Sequence, residues 1–286
     1  MVIQILNMKK AFLLLNILAC ALFLVSCETE AEVDVPAVDR QLTLTCFISD
    51  DIDLIHANFS WSIPVFGPNS SPLPPPTDLL VTISNGIQVD TLEYNSNTME
   101  YELSTLEFPL VAGQSYTLLA TDAAGHAIEA STNIPLELPE VDSNNLTIST
   151  DIVGPFNDTM YTFTFKTFLN DVSPNFDYYR LAYYNVYTGG TDTSEYLIAQ
   201  RFINDNALNN GQLYIEKEVQ ASSYESISTD LKAMYIIHSS EEYFKFHKTF
   251  NRQDNGNPFA EPTLVYSNVT GGLGIFAGYR QIRFDF

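Results

Sequence analysis

The chain has 286 residues, 45% of them hydrophobic, with 13 Lys and Arg against 35 Asp and Glu and a net charge of −22. A surface this acidic repels nucleic acid and anionic lipid headgroups, so neither is an expected partner. Three cysteines are too few for a disulfide framework, while the length is enough for one large or two smaller hydrophobic cores.

In chain order, the first feature is a second potential start at Met8, followed by Lys9, Lys10 and an apolar run from Ala11 to Val25 broken only by Asn16. A short positive region before about 15 apolar residues has the form of a secretory signal and is short for a membrane-spanning helix. The run ends in Leu24-Val25-Ser26-Cys27, which resembles the lipobox of bacterial lipoproteins. In a lipobox, small residues precede a cysteine whose thiol accepts diacylglycerol and which becomes residue one after cleavage. This predicts a signal peptide over 1–26 and a lipid-bearing Cys27 with more than one acyl chain, palmitate among them. Two or more chains anchor stably where one is marginal. Loss of 1–26 removes two lysines and no acid, taking the charge to −24.

Residues 27–39 read as an acidic tether. Glu28, Glu30 and Glu32 resemble the surface-export signal of Bacteroidetes-type lipoproteins, and they also suit a merely solvated, self-repelling spacer. From Arg40 the pattern is β. In RQLTLTCFIS, Leu42, Leu44, Cys46 and Ile48 alternate with polar residues. DLIHANFSWSIP gives a second strand, and GPNSSPLPPPTD holds too many prolines for helix or central strand. LLVTIS and IQVDTLEY flank Asn85-Gly86, a hairpin signal. NSNTMEYELS, LVAGQSYTLLATD and a segment stopping at Pro135 complete about seven strands. The expectation is an immunoglobulin-like β-sandwich over 40–136, without the paired cysteines of antibody domains. Cys20 and Cys27 fall to signal and lipid, so Cys46 is expected as a small buried core residue.

LELPEVDSN reads as a short join. Residues 145–286 then read as a β-rich domain with one amphipathic helix near 240–252. Its strands include DTMYTFTFKTFLN, FDYYRLAYYNVYTG, SEYLIAQRFIND, GQLYIEKEV, LKAMYIIHS and the terminal GIFAGYRQIRFDF. In the second of these, Tyr179, Leu181, Tyr183 and Tyr187 share a face. The helix carries Tyr243, Phe244, Phe246, His247 and Phe250; Ser239 and Ser240 both offer N-caps, and Ser239-x-x-Glu242 fits a capping box.

Catalytic signatures are missing: no Gly-x-Ser-x-Gly, no His-Glu-x-x-His and no phosphate-cradling glycine loop. No cofactor, no metal and no enzymatic activity are therefore expected. Two weak metal patterns are a His238/His247 pair flanking the helix start and the aspartates of SDDIDLIH, Ser49–His56. Sixteen tyrosines suit strand packing and also sugar or peptide binding. Asp90-Thr91-Leu92 and Asp158-Thr159-Met160 resemble the O-glycosylation acceptor of Bacteroidetes-type secreted proteins, making Thr91 and Thr159 candidate sites. Gly271, Gly272 and Gly274 predict a tight turn into the last strand.

The lipobox with its acidic follow-on, LTLTCFIS, VAGQSYTLLATDAAGHAIEASTNIP and NPFAEPTLVYSNVTGGLGIFAGYR together resemble a Bacteroidetes-type outer-membrane lipoprotein family catalogued as a domain of unknown function. The resemblance implies an outer-membrane, outward-facing lipoprotein encoded beside TonB-dependent receptors. It brings no catalytic residues. Two roles follow as expectations: a non-enzymatic accessory to a TonB-dependent nutrient transporter, or a structural or adhesive surface protein.

Overall fold

The computed structural model describes residues 39–64, 71–153, 158–171, 175–189, 192–208, 211–222, 232–251 and 264–286. The protein is mainly β, as its periodicity predicts. Seven strands form the first half: β1 (Leu42–Ile48), β2 (Leu54–Trp61), β3 (Leu80–Ser84), β4 (Val89–Asn95), β5 (Glu100–Ser104), β6 (Ser115–Thr121) and β7 (Ala127–Asn133). They run in the order β1-β2-β5-β4-β3-β6-β7. The ladder folds over itself as a sandwich, so that Leu42, Leu44, Cys46 and Ile48 of β1 share one core with Val81, Ile83, Leu118 and Ile128. Every second residue of β1 is buried, because successive strand side chains point to opposite faces.

The Asn85-Gly86 turn joins β3 to β4 as expected, through a four-residue loop. Asn85 Oδ1 accepts the N–H groups of Ile87 and Gln88 at 3.0 and 2.8 Å, while Gly86 takes φ +85°. The proline-rich segment is held from 76 to 79 by Tyr101, whose hydroxyl donates to Pro76 O and accepts from Leu79 N–H.

The second half is itself two packed sheets. β8 (Glu140–Val153), β9 (Asp158–Asn170) and β12 (Gln212–Ser222) form one, in the order β12-β9-β8. β10 (Tyr178–Gly189), β11 (Asp192–Asn204), β13 (Lys232–Ser239) and β14 (Leu273–Asp285) form the other, in the order β11-β10-β13-β14. Phe163, Phe165 and Ile215 meet Leu181, Tyr183, Met234 and Ile236 between them. LKAMYIIHS is an interior strand, as its apolar run predicts. β8 is the strand that pattern reading missed. It begins inside the expected join, and NNLTISTDIV is too polar to announce itself, since its outer end is mostly exposed.

β14 serves both halves. Residues 273–278 pair parallel to β1, and 279–285 pair antiparallel to β13. The close approach requires glycine: a Cβ on Gly274, at φ +117°, would lie 1.9 Å from Leu44 O. Asn268 braces the preceding turn. Its amide donates to Ser131 O and Phe276 O, and its Oδ1 accepts from Phe276 N–H. Arg280 then reaches Asp50 at 2.9 Å and Leu136 O at 2.7 Å.

The expected helix is α1 (Glu241–Phe250). The expected capping box is corrected by one residue. Ser240 is the N-cap, accepting from Tyr243 N–H, which puts Tyr243 where the box needs Glu242. Ser239 instead donates its hydroxyl to Tyr178 O. Both serines are buried at the seam, where Ser240 also meets Thr132 of β7. No helix among the described residues is long and apolar enough to cross a membrane.

Candidate functional site

The site grows from the two faces of β10. Tyr179, Leu181 and Tyr183 enter the core between the sheets, as their alternation predicts. Tyr178, Arg180, Ala182 and Tyr184 therefore point the other way, toward the side that α1 covers. α1 contacts β10, β13 and β14 but does not fill that face. A cavity of about 360 Å³ remains. Its walls come from six elements: Phe47 of β1, Arg180 and Tyr184 of β10, Glu195 of β11, Tyr235 and Ile237 of β13, Tyr243 and His247 of α1, and Tyr279 and Gln281 of β14.

The rings are packed against one another. Phe47 and Tyr243 meet edge to face with centroids 5.5 Å apart, Tyr184 and Tyr235 likewise at 5.3 Å, and Tyr243 and Tyr279 tilt together at 5.5 Å. Arg180 is 8% exposed. Its Nε donates to Gln200 Oε1 at 2.9 Å, its Nη1 donates to the Tyr243 hydroxyl at 2.8 Å, and its guanidinium lies 6.0 Å from the Phe202 ring centre. Gln200 is oriented by its own donation to Asn251 Oδ1, just past α1. Glu195 accepts from the Tyr235 hydroxyl and from Arg283, which also pairs with Asp285.

Burial, with Arg180 adding to it, pushes the His247 imidazole down to about 3, so it is neutral near pH 7. Burial pushes the Tyr243 phenol up, and Arg180 works against that. The lining thus offers rings, one buried cation, the Glu195 carboxylate and neutral hydrogen-bonding groups. Among the described residues, no serine, threonine or cysteine lines it.

A second concavity, of about 290 Å³, lies at the seam between the halves. Asn133 and Pro135 to Glu137 form one side, with Asn175 to Tyr178 and His238 to Glu241 opposite. The buried His238 ring sits between Asp177, at 3.1 Å from Nε2, and the Glu137 carbonyl. Behind it, one oxygen from each of Asp171, Asp177 and Asp205 falls within 4.8 Å of the others. Burial raises the Asp205 carboxyl to about 6, the neighbouring aspartates add to this, and the N–H that Asp177 donates opposes it. A trio so close can share a proton or a cation; the residues are too irregularly spaced in sequence to suggest it.

Of the residues singled out by sequence, Cys27, Glu28, Glu30 and Glu32 lie outside the described residues, with the signal and most of the tether. Thr91 is exposed on β4 and Thr159 half-buried on β9. The His238/His247 pair does not assemble: one ring meets Asp177, the other stacks on Phe47 at 5.2 Å. The Ser49–His56 aspartates take separate partners, Asp50 with Arg280 and Asp51 with Gln281, while His56 faces Glu100 and Glu102. Cys46 is buried, and burial pushes its thiol far up. Arg180 and Glu195 were not foreseen. The available signal was a lone arginine inside the aromatic run DYYRLAYYNVY.

Among solved structures, a chain of a cytokine receptor complex (crystal form 1A) is 11% identical, with 85% of this chain and 94% of that chain covered and a TM-score of 0.24. The chicken interferon gamma receptor alpha chain is 9% identical, with 71% of this chain and 91% of that chain covered and a TM-score of 0.20. No match was found among curated proteins. The family model for a domain of unknown function, DUF4249, matches residues 28–284, and the chain belongs to that family.

Proposed function

We propose that this protein is a lipid-anchored, outward-facing outer-membrane lipoprotein that binds rather than transforms its ligand, as an accessory to a TonB-dependent nutrient transporter. The anchor is Cys27, and Glu28, Glu30 and Glu32 direct export to the cell surface. The observation that carries the binding role is the aromatic cavity under α1. It is walled mainly by rings and holds one buried cation, Arg180. The acidic chain supports anchoring through lipid rather than through charge, since anionic headgroups repel it.

Cys27→Ala is expected to move the protein from the membrane fraction to the soluble one, and continued membrane retention overturns the anchor. Affinity purification of the tagged protein from detergent-solubilised outer membranes is expected to recover a TonB-dependent receptor. Recovery of the protein alone overturns the accessory role. Loss of cell adhesion on gene deletion, with nutrient uptake unchanged, would instead favour the structural role.

A further inference from the structure

We propose that the cavity under α1 takes a small monoanion bearing a carboxylate on a ring, with Arg180 as the residue that receives the carboxylate. The inference deepens the binding role proposed above and rests on it. Its starting point is a charge without a countercharge. Burying a guanidinium is costly unless an anion or a full set of acceptors replaces water. The chain has acids to spare, and elsewhere it uses them: Arg280 meets Asp50, and Arg283 meets Glu195 and Asp285. Arg180, 8% exposed, has only neutral hydrogen-bond partners, Gln200 and Tyr243. Among the described residues no carboxylate stands at ion-pair distance from it.

Those two bonds use Nε and Nη1. Neither bond uses Nη2, which leaves its donors for a ligand in the cavity that Arg180 lines. The lining groups nearest in character to a partner are otherwise engaged. His247 is neutral, and the charge of Glu195 is already met by Arg283 and the Tyr235 hydroxyl. Arg180 is therefore the one cation among the lining residues whose hydrogen-bond partners are all neutral. One guanidinium edge matches one carboxylate. A phosphate, with nearly twice the charge, would face one cation within a chain of net charge −22.

The body of the ligand follows from the walls. Tyr235, Tyr243 and Tyr279 offer ring faces and edges that suit a flat or puckered ring. A volume of about 360 Å³ is near the lower end for small-molecule sites, which favours a single ring. Sugar acids and aromatic acids share this chemistry, and Gln281 at the cavity offers hydrogen bonds that would favour the hydroxyls of the former.

The test uses full-length protein in detergent, with binding measured by titration calorimetry. The probes are D-glucuronate and benzoate, each paired with its uncharged counterpart, glucose and benzyl alcohol. At least one acid is expected to bind ten times more tightly than its counterpart, and which acid does so identifies the ring. Arg180→Met is expected to lose that tenfold preference. Equal affinity for acid and counterpart, or no binding of either acid, overturns the proposal. So does an Arg180→Met protein that melts like the wild type and still prefers the acid. The wild-type comparison decides even if the variant unfolds. Failure to recover a transporter from membranes leaves these affinities as they are, and a carboxylate that does not bind leaves the transporter association standing.

Discussion

The two halves of the molecule bury different things. In the first sandwich the buried polar side chains are Ser49 and Thr132, neither of which carries charge. In the second half, Asp177, Arg180, Lys232 and His238 are all buried. The reason lies in how many faces each sheet must cover. The sheets of the first half pack one face inward and leave the other to water, so charge stays outside. The β11-β10-β13-β14 sheet meets β9 and β12 on one face and α1 on the other, so polar residues are enclosed on both: Lys232 lies over the Phe163 ring and His238 against Tyr179 on the first, and Arg180 under α1 on the second. Enclosed polar groups cost stability unless satisfied, and both candidate concavities are built from them. The first half acts as a frame, and the second carries the chemistry.

The seam that joins frame to chemistry is the place to test this first. Gly274→Ala should have the largest effect, a loss of about 3 kcal/mol or more, because a side chain would meet Leu44 O while strained at positive φ. Denaturant unfolding of the full-length protein measures it. A wild-type midpoint would mean that β14 does not lock the halves together.

An acid titration sharpens the contrast next. His247 is held at about 3, below its ordinary 6.5, so its contribution is complete above pH 6.5 and is lost as the pH falls toward 3. The Asp205 carboxyl, raised to about 6 from 3.8, acts in the opposite sense: stability rises as the pH falls through that window. His247→Phe should remove the first effect and leave the second. Between pH 7 and pH 4 the variant should lose on the order of 3 kcal/mol less than the wild type, read from melting curves at each pH. Parallel curves would show that the second half is no more responsive to acid than the first.

Ser240→Ala should have the smallest effect, about 1 kcal/mol, through loss of the helix cap and the link to Thr132. The expected signature is faster amide hydrogen exchange in α1 with β1–β7 unchanged. Equal acceleration in both halves would mean that the helix supports the frame as well.

Much of the fold was legible because strand periodicity is a local property. Leu42, Leu44, Cys46 and Ile48 announce one buried face without knowledge of what covers it. Asn85-Gly86 announces its turn, and Ser240 to Phe250 its helix, to within one residue of the cap. β8 was hidden because a mostly exposed strand has no apolar alternation to read. The site was hidden for a related reason. Tyr179 and Tyr183 were read as packing and do pack, but the same alternation leaves the opposite face of β10 unassigned.

The sequence by itself determined the β character, the spacing of the first seven strands, the amphipathic helix and the glycines that admit a close approach. The run Leu24–Cys27, which resembles a lipobox, and the acids after it carry the expectation of a surface address. Tertiary structure alone decided that β14 serves both halves, that Asp50 meets Arg280 across 230 residues, and that Arg180 lies under α1 with neutral partners. Periodicity states which residues share a face. Only the packing of distant segments states what that face meets, and a buried charge takes its meaning from what it meets.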